Sequence, residues 1–240
     1  EWSVATLSGP NAGKILKASD VDISLDPADF PFMTMREAHI AGLPVRIFRI
    51  SFTGELSYEI NIRARHGLAL WTHLMKAGAE FGITPYGTEA MHVLRAEKGF
   101  IIVGQETDGS VTPQDLGMDW IVSKVKPDYI GKRALERASM AADNRKQLVG
   151  LRTKERKQVI PEGAHAVLDP NQPMPMDMLG QVTSSYYSPN VGSSIAMAML
   201  KGGRALMGGT VYLPMLDGSV IEAEVVEPIF YDPKGERLNG

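Results

Sequence analysis

The sequence contains no cysteine. That absence removes disulfides, thiolate metal ligands and cysteine nucleophiles together, and it fits a reducing, cytoplasmic setting. A basic surplus is missing too: the formal net charge is −3, whereas a protein whose main partner is nucleic acid needs positive charge against phosphate. No apolar run approaches the roughly 18 residues that suggest a membrane-spanning helix, and no signal peptide opens the chain. A Ser/His/Asp order, an HExxH zinc motif and a dinucleotide fingerprint are all lacking. Gly9-Pro10-Asn11-Ala12-Gly13-Lys14 invites a phosphate-loop reading and fails it. Its glycines are one residue too close, and Ile15 stands where Ser or Thr is required.

What is present is an ordinary globular balance, 44% hydrophobic and 22% charged, at a length of 240 residues. Such a chain can bury one large core or two small ones. It begins Glu1-Trp2-Ser3 without Met, the start expected of a piece taken from a longer protein, while the polar run from Tyr231 to Gly240 reads as a natural C-terminus.

Val4–Leu7 reads as a strand, and Asn11 as the N-cap of a short helix through Lys17. Arg36–Ala41 and Leu43–Ile50 suit a hairpin across Ala41-Gly42. Leu68, Leu70, Trp71, Leu74, Met75 and Ala79 recur at helical spacing, which predicts a helix over 66–81 with Trp71 in the core and Gly82 as its stop. His66 and His73 read as surface or packing residues on it. Thr88 caps a second helix, helical over Ala90–Ala96 with Val93 and Leu94 inward and closed by Glu97-Lys98-Gly99-Phe100. Ile101–Gly104 and Trp120–Val125 read as strands and 131–142 as a helix. This order predicts an α+β fold opening with a ferredoxin-like α/β sandwich.

Beyond the polar Asp143-Asn144-Arg145-Lys146 the character changes. Six short β-rich runs, at 148–151, 166–168, 180–184, 194–199, 209–213 and 221–226, predict a small antiparallel β-barrel. The domains expected are therefore 1–145 and 146–240. Met174-Pro175-Met176-Asp177-Met178 is broken by proline and must be an exposed lid or an interface loop.

The stretch Ser51–Ile60 organises the first domain. Thr53-Gly54-Glu55 reads as a tight turn between antiparallel strands, with Gly54 supplying a positive φ. After it Tyr58, Ile60 and Ile62 alternate with Glu59, Asn61 and Arg63, the period of a half-buried strand. By spacing alone Glu59 is a solvated strand carboxylate, although its place beside a turn allows it to be aimed into a pocket. The other polar candidates are Glu55, Asn61, Arg95, Glu97, Gln105, Glu106 and Asp108.

Phe52-Thr53-Gly54-Glu55-x-x-Tyr58-Glu59 resembles the Tyr-Thr-Gly-Glu-x-Gly-x-Glu signature of the folate-dependent aminomethyltransferase family, which includes the glycine-cleavage T-proteins, dimethylglycine and sarcosine dehydrogenases and the sarcosine oxidase α subunits. The run Gly87–Gly99 is similar to that family's Gly-x-x-Ala-Arg-Asp-x-Leu-Arg-x-Glu segment, and Tyr129–Leu135 to its Phe-Ile-Gly-Arg-x-Ala-Leu. Gly180–Ser184, Ser188-Pro189 and Ile195–Ala198 resemble its barrel motif. Together these span nearly the whole chain in the family's order.

The resemblance implies a folate site in the first domain, truncated at its N-terminus, followed by the family's barrel. It implies that Glu59 accepts the exocyclic amine and ring N–H of a pterin as a bidentate pair, chemistry for which a carboxylate is suited. Phe52 and Thr53 are either pocket wall or plain turn packing; Glu55 belongs to the same signature. Tyr186 and Tyr187 either line the pocket or face outward from the barrel. Arg95 and Glu97 read as a structural pair near a helix end, and His92 as a packing or capping residue. No catalytic residue is assigned: the aspartate that serves T-proteins lies upstream of the matched region.

The departures select a branch. Phe52 replaces Tyr, Ser57 replaces Gly, and Met91 stands where T-proteins carry an arginine that helps hold folate. The run Gly87–Glu97 and the ending Phe230-Tyr231-Asp232-Pro233 are most similar to the C-terminal part of the sarcosine oxidase α subunits. That branch implies oxidative demethylation of sarcosine to glycine, the one-carbon unit passing to tetrahydrofolate as 5,10-methylene-tetrahydrofolate or leaving as formaldehyde. It also implies FAD, FMN and NAD elsewhere in the parent complex, and β, γ and δ subunits as partners. The alternatives are a T-protein-type aminomethyltransferase acting on a lipoyl carrier, or a non-catalytic folate-binding or assembly module.

Overall fold

The computed structural model describes residues 1–239. They form two compact units, 1–94 with 232–239 and 95–231.

The first unit is built on a four-stranded antiparallel sheet, β1 (Trp2–Ser8), β2 (Met35–Ile40), β3 (Leu43–Phe48) and β4 (Ser57–Arg63), in the order β1-β4-β3-β2. Helices α1 (Ala12–Ala18) and α2 (Gly67–Ala77) accompany it. Tyr58, Ile60 and Ile62 of β4 join Leu7, Ile15, Leu16, Ile47, Leu70 and Leu74 in one core. Because strand side chains alternate, Ser57, Glu59, Asn61 and Arg63 are sent to the opposite face.

The β2–β3 hairpin turns on Ala41 and Gly42, both at positive φ (48° and 76°), the signature of a type I′ turn. The β3–β4 connection is longer than the expected tight turn. β3 ends at Phe48 because Arg49 exchanges backbone hydrogen bonds with Met33 and Thr34 instead of with β4, and its buried guanidinium donates to the Phe30 carbonyl at 2.6 Å. The chain rejoins the sheet only at Ser57, after Gly54 has turned it at φ 76°.

In α2 only Leu70 and Leu74 are fully buried, while Trp71 keeps 45% of its surface exposed, against the expectation that it is core. The i, i+4 pair fills the space beneath the helix, and Trp71 falls one position to the side of that seam. His73 is a packing residue, its Nε2 lying 3.0 Å from the Ser19 carbonyl oxygen. Gly82 is left-handed and ends the turn that follows α2.

Helix α3 (Thr88–Glu97) contains the division between the units. Its buried residues are Arg95, Ala96 and Glu97, whereas Val93 and Leu94 are intermediate.

The second unit is a six-stranded antiparallel sheet of β5 (Lys146–Thr153), β6 (His165–Ala166), β7 (Gly180–Ser188), β8 (Ser193–Lys201), β9 (Thr210–Pro214) and β10 (Val220–Val226), in the order β6-β7-β8-β5-β10-β9. Val167 and Tyr212 exchange backbone hydrogen bonds of 2.8 and 3.0 Å and join its two ends, closing the barrel that the six β runs predict. Val149, Leu151, Val182, Ala198, Val211 and Val225 belong to one core. Leu148, Ile195, Met197 and Met199 form a second cluster with Ala96.

Three sequence expectations fail in this unit. Ile101–Gly104 is no strand: Gly104 turns the chain at φ 95°, and the Glu106 carboxylate takes the Ile102 N–H at 2.7 Å. Trp120–Val125 gives only a 3-10 turn over Asp119–Ile121, and the helix expected over 131–142 is a single turn, α4 (Lys132–Leu135). No residue between 117 and 145 is buried. Helix or strand propensity without an apolar face to bury does not sustain regular structure.

Candidate functional site

Glu59 sits on the sheet face turned away from the helices. In the ladder it lies opposite Thr6 of β1 and Phe48 of β3, and Asn61 lies opposite Val4 and Arg46. Glu59 is half-buried, and Asn61 donates to its Oε1 at 3.3 Å, the one hydrogen bond to that carboxylate among the described residues. Its remaining acceptor capacity is open to a ligand. At the end of the same face the Trp2 ring lies beneath the Arg46 guanidinium, 5.0 Å from its centroid.

The connection before β4 carries the other residues of the signature. Phe52 leaves 38% of its surface exposed, so a ring face is available, while Thr53 is buried. The Thr53 hydroxyl lies 2.8 Å from that of Ser8, and the Gly54 N–H bonds to Ser51 Oγ at 3.0 Å. Ser57, directly across from Ser8, is buried with a hydroxyl that has no hydrogen-bond partner among the described residues. Glu55 is engaged differently: its carboxylate is ion-paired with Arg237, whose own N–H is taken by Asp232.

A cleft of about 500 Å³ runs along the outer edge of β1. Thr6, Ser8, Trp71, Met75, Tyr86 and Met91 are among its walls. Tyr86 is part of this lining, and burial raises the pKa of its phenol. Sequence reasoning singles out neither Ser8 nor Tyr86, because nothing in the local pattern states that β1 pairs with β4.

Tyr186 belongs to the second unit, on β7, packed at the edge of the cluster around Ile195 and Met197; its pKa is raised chiefly by burial. Arg95 and Glu97 are not a pair. Two residues apart on a helix they point in different directions, and each has other partners. Arg95 meets Glu106 at 3.1 Å and donates to Ser184 Oγ at 2.6 Å and to the Phe100 carbonyl at 3.0 Å. Glu97 accepts from Ser188 Oγ at 2.6 Å and from Asn190 at 2.8 Å. Gln105 donates to the Thr183 carbonyl at 2.8 Å. Asp108 caps its own turn through Ser110. These side chains organise the unit's interior and its loops. Among the described residues no group of His, Asp or Glu is arranged to hold a metal ion, and no helix is long and apolar enough to cross a membrane.

An antiparallel α/β layer and a separate small barrel, with a glutamate on the open sheet face beside a Thr-Gly-Glu turn, define a recognisable class. The chain belongs to the glycine cleavage T-protein family: residues 1–126 match the GCVT N-terminal domain and 146–232 the glycine cleavage T-protein C-terminal barrel domain. Among individual relatives it is 44% identical, over its whole length, to the sarcosine oxidase subunit alpha of Corynebacterium sp. strain U-96, of which it covers 25%. It is 32% identical over 94% of its length to the aminomethyltransferase of Halothermothrix orenii, covering 60% of that protein. The fold is shared with the crystal structure of the glycine cleavage system aminomethyltransferase T from Bartonella henselae, with a TM-score of 0.79 and 24% identity, over 96% of this chain and 60% of that one. The chain thus spans about a quarter of the length of the sarcosine oxidase subunits it matches.

Proposed function

We propose that this chain is the folate-binding portion of a sarcosine-oxidase-type enzyme. The observation that carries the reading is Glu59. Its half-buried carboxylate has a single hydrogen-bond partner among the described residues and stands one residue beyond the buried Tyr58, and Phe52 of the connection that leads into β4 leaves part of its ring exposed. A carboxylate so placed accepts two parallel N–H groups from the aminopyrimidine edge of a pterin, and an aromatic face takes the flat bicycle. The orphaned Ser57 hydroxyl on the same strand face fits a polar ligand edge or an ordered water better than an apolar group. Tetrahydrofolate, when bound, supplies the nucleophilic nitrogens that capture a one-carbon unit. The residues named here bind and orient it; the oxidation of sarcosine, with FAD, FMN and NAD, belongs to parts of the assembly outside this chain, and β, γ and δ subunits are its partners there.

Met91 favours the oxidase over a lipoyl-dependent aminomethyltransferase. It lines the cleft beside Tyr86 and brings no positive charge to it. The identity of 44% to a sarcosine oxidase α subunit, against 32% to an aminomethyltransferase, points the same way. The test is calorimetric titration of the chain with folinic acid. Binding by the unaltered chain that disappears in Glu59→Gln is the expected result; equal binding by both removes Glu59 from the site. A yellow parent protein, purified with its native subunits and bleached anaerobically by sarcosine, separates the oxidase from the transferase.

A further inference from the structure

The run Trp120-Ile121-Val122-Ser123-Lys124-Val125 has the composition of a strand and belongs to no sheet among the described residues. In an extended chain Trp120 and Val122 share one face and Ile121, Ser123 and Val125 the other, so apolar groups stand on both. No surface of this chain buries them: Trp120 keeps 73% of its surface exposed and Val125 91%, and Ile130 a little further on is fully exposed. Apolar residues scattered singly on a surface are ordinary. A cluster of this size, on a stretch with no buried residue from 117 to 145, marks an interaction site.

The backbone of the run is open as well. Ile121 and Val122 donate to the Met118 and Asp119 carbonyls in the 3-10 turn, but the N–H groups of Ser123, Lys124 and Val125 find no backbone carbonyl among the described residues. Val122 is already extended, at φ −82° and ψ 120°. Unpaired N–H and C=O groups on an extended apolar segment are a template for pairing with another strand.

We infer that 120–125 is a strand of a sheet completed by polypeptide outside these 240 residues: in the parent protein the run pairs with a strand from the rest of its own chain, and Trp120 and Val125 are buried there. This rests on the reading above that the chain is a portion of a longer enzyme. Two observations choose this occupant over a second copy or a separate partner. The match to the GCVT N-terminal domain extends to residue 126, so the run lies inside that domain, and a strand of a domain is stable only within a packed layer. The chain also covers only 60% of the related aminomethyltransferase and 25% of the sarcosine oxidase subunit alpha, so each relative has further chain from which such a strand can come. Beside the run a cleft of about 450 Å³, walled by Ile121, Val122, Tyr129, Ile130 and Leu135, gives the side chains of the incoming segment an apolar seat. Pro127, with no N–H to donate, ends the pairing.

Hydrogen exchange read by mass spectrometry, on the full-length parent and on the 240-residue chain, tests this. In the parent at least alternate amides of 120–125 should exchange about a hundredfold more slowly than in the chain. Val125→Asp should leave the melting temperature of the chain unchanged and lower that of the parent by several degrees. Fast exchange of 120–125 in the parent overturns the inference, as does a Val125→Asp effect that is the same in both proteins. Protection that arises in the chain alone and grows with its concentration assigns the run to a second copy and overturns the occupant named here. A native parent no longer than 240 residues removes the reading of the chain as a portion together with this inference, which distinguishes that outcome from failure of the strand alone.

Discussion

Arg95 and Glu106 meet at 3.1 Å with both side chains fully buried. Ser184 bonds to both, at 2.6 Å to the guanidinium and 2.5 Å to the carboxylate, and the Ile102 N–H adds a bond to Glu106. The pair replaces its lost hydration with a nearly complete set of protein partners; only the Arg95 Nε lacks one. Removing one member leaves the other charge buried. Arg95→Met should therefore destabilise the second unit by about 3–5 kcal/mol, read as a lower urea midpoint. Arg95→Met/Glu106→Leu, which removes both charges, should recover much of that loss. A double variant as unstable as the single one contradicts this account.

Asp115 links the loop before the barrel to Arg145, which also donates to the Ser139 and Ser110 carbonyls. Burial pushes the Asp115 carboxyl up, but hydrogen bonds from Arg145 and Thr112 outweigh it and leave the group below its ordinary 3.8. A carboxyl depressed in the folded state binds protons more readily when unfolded. Its contribution is full above the unfolded value, about 4, and is lost as pH falls through the lower folded value. Thermal melts of the chain between neutral pH and pH 3 should show a decline below pH 4 that is shallower in Asp115→Asn, which starts from a lower plateau. Parallel curves for the two proteins would mean that other carboxylates carry the acid sensitivity.

Gly180 opens β7 where the neighbouring strand comes closest. A Cβ built there would stand 1.9 Å from the Met199 carbonyl oxygen, which belongs to the β8 backbone and cannot rotate away. Gly180→Ala must displace one strand, and overpacking of this kind costs about 1–3 kcal/mol or more. Soluble expression and the urea midpoint report it. Gly192→Ala, with open space around its Cβ, is the control for closeness of approach, although its φ of 69° carries the ordinary left-handed strain.

Met91 lines the cleft and brings no charge to it, and folinic acid carries carboxylates. Met91→Arg should tighten folinic acid binding by about three- to tenfold, the effect of one partly solvated charge contact, and the gain should shrink as salt is added. An affinity that does not depend on this substitution would mean that the ligand's carboxylates lie away from Met91.

The alternation of Tyr58, Ile60 and Ile62 with Glu59 and Asn61 was legible because a strand covered on one face must repeat every two residues. The barrel runs were legible for the same reason, reinforced by regular turns. The runs at 120–125 and 131–142 misled because their composition suits a strand and a helix, while neither has a face to bury.

The sequence by itself determined the family's order of motifs, the antiparallel layer followed by a barrel, and the side of β4 on which Glu59 stands. Periodicity and turn chemistry are local, and they survive without knowledge of neighbours. Tertiary structure alone decided that β1 lies against β4, which brings Ser8 to Thr53 and Ser57. It decided that Arg95 pairs with Glu106 instead of Glu97, and that Glu55 is held by Arg237 from 182 positions away. Those partners are set by which strands and loops meet after the chain has closed on itself, and no spacing within a single segment encodes that meeting.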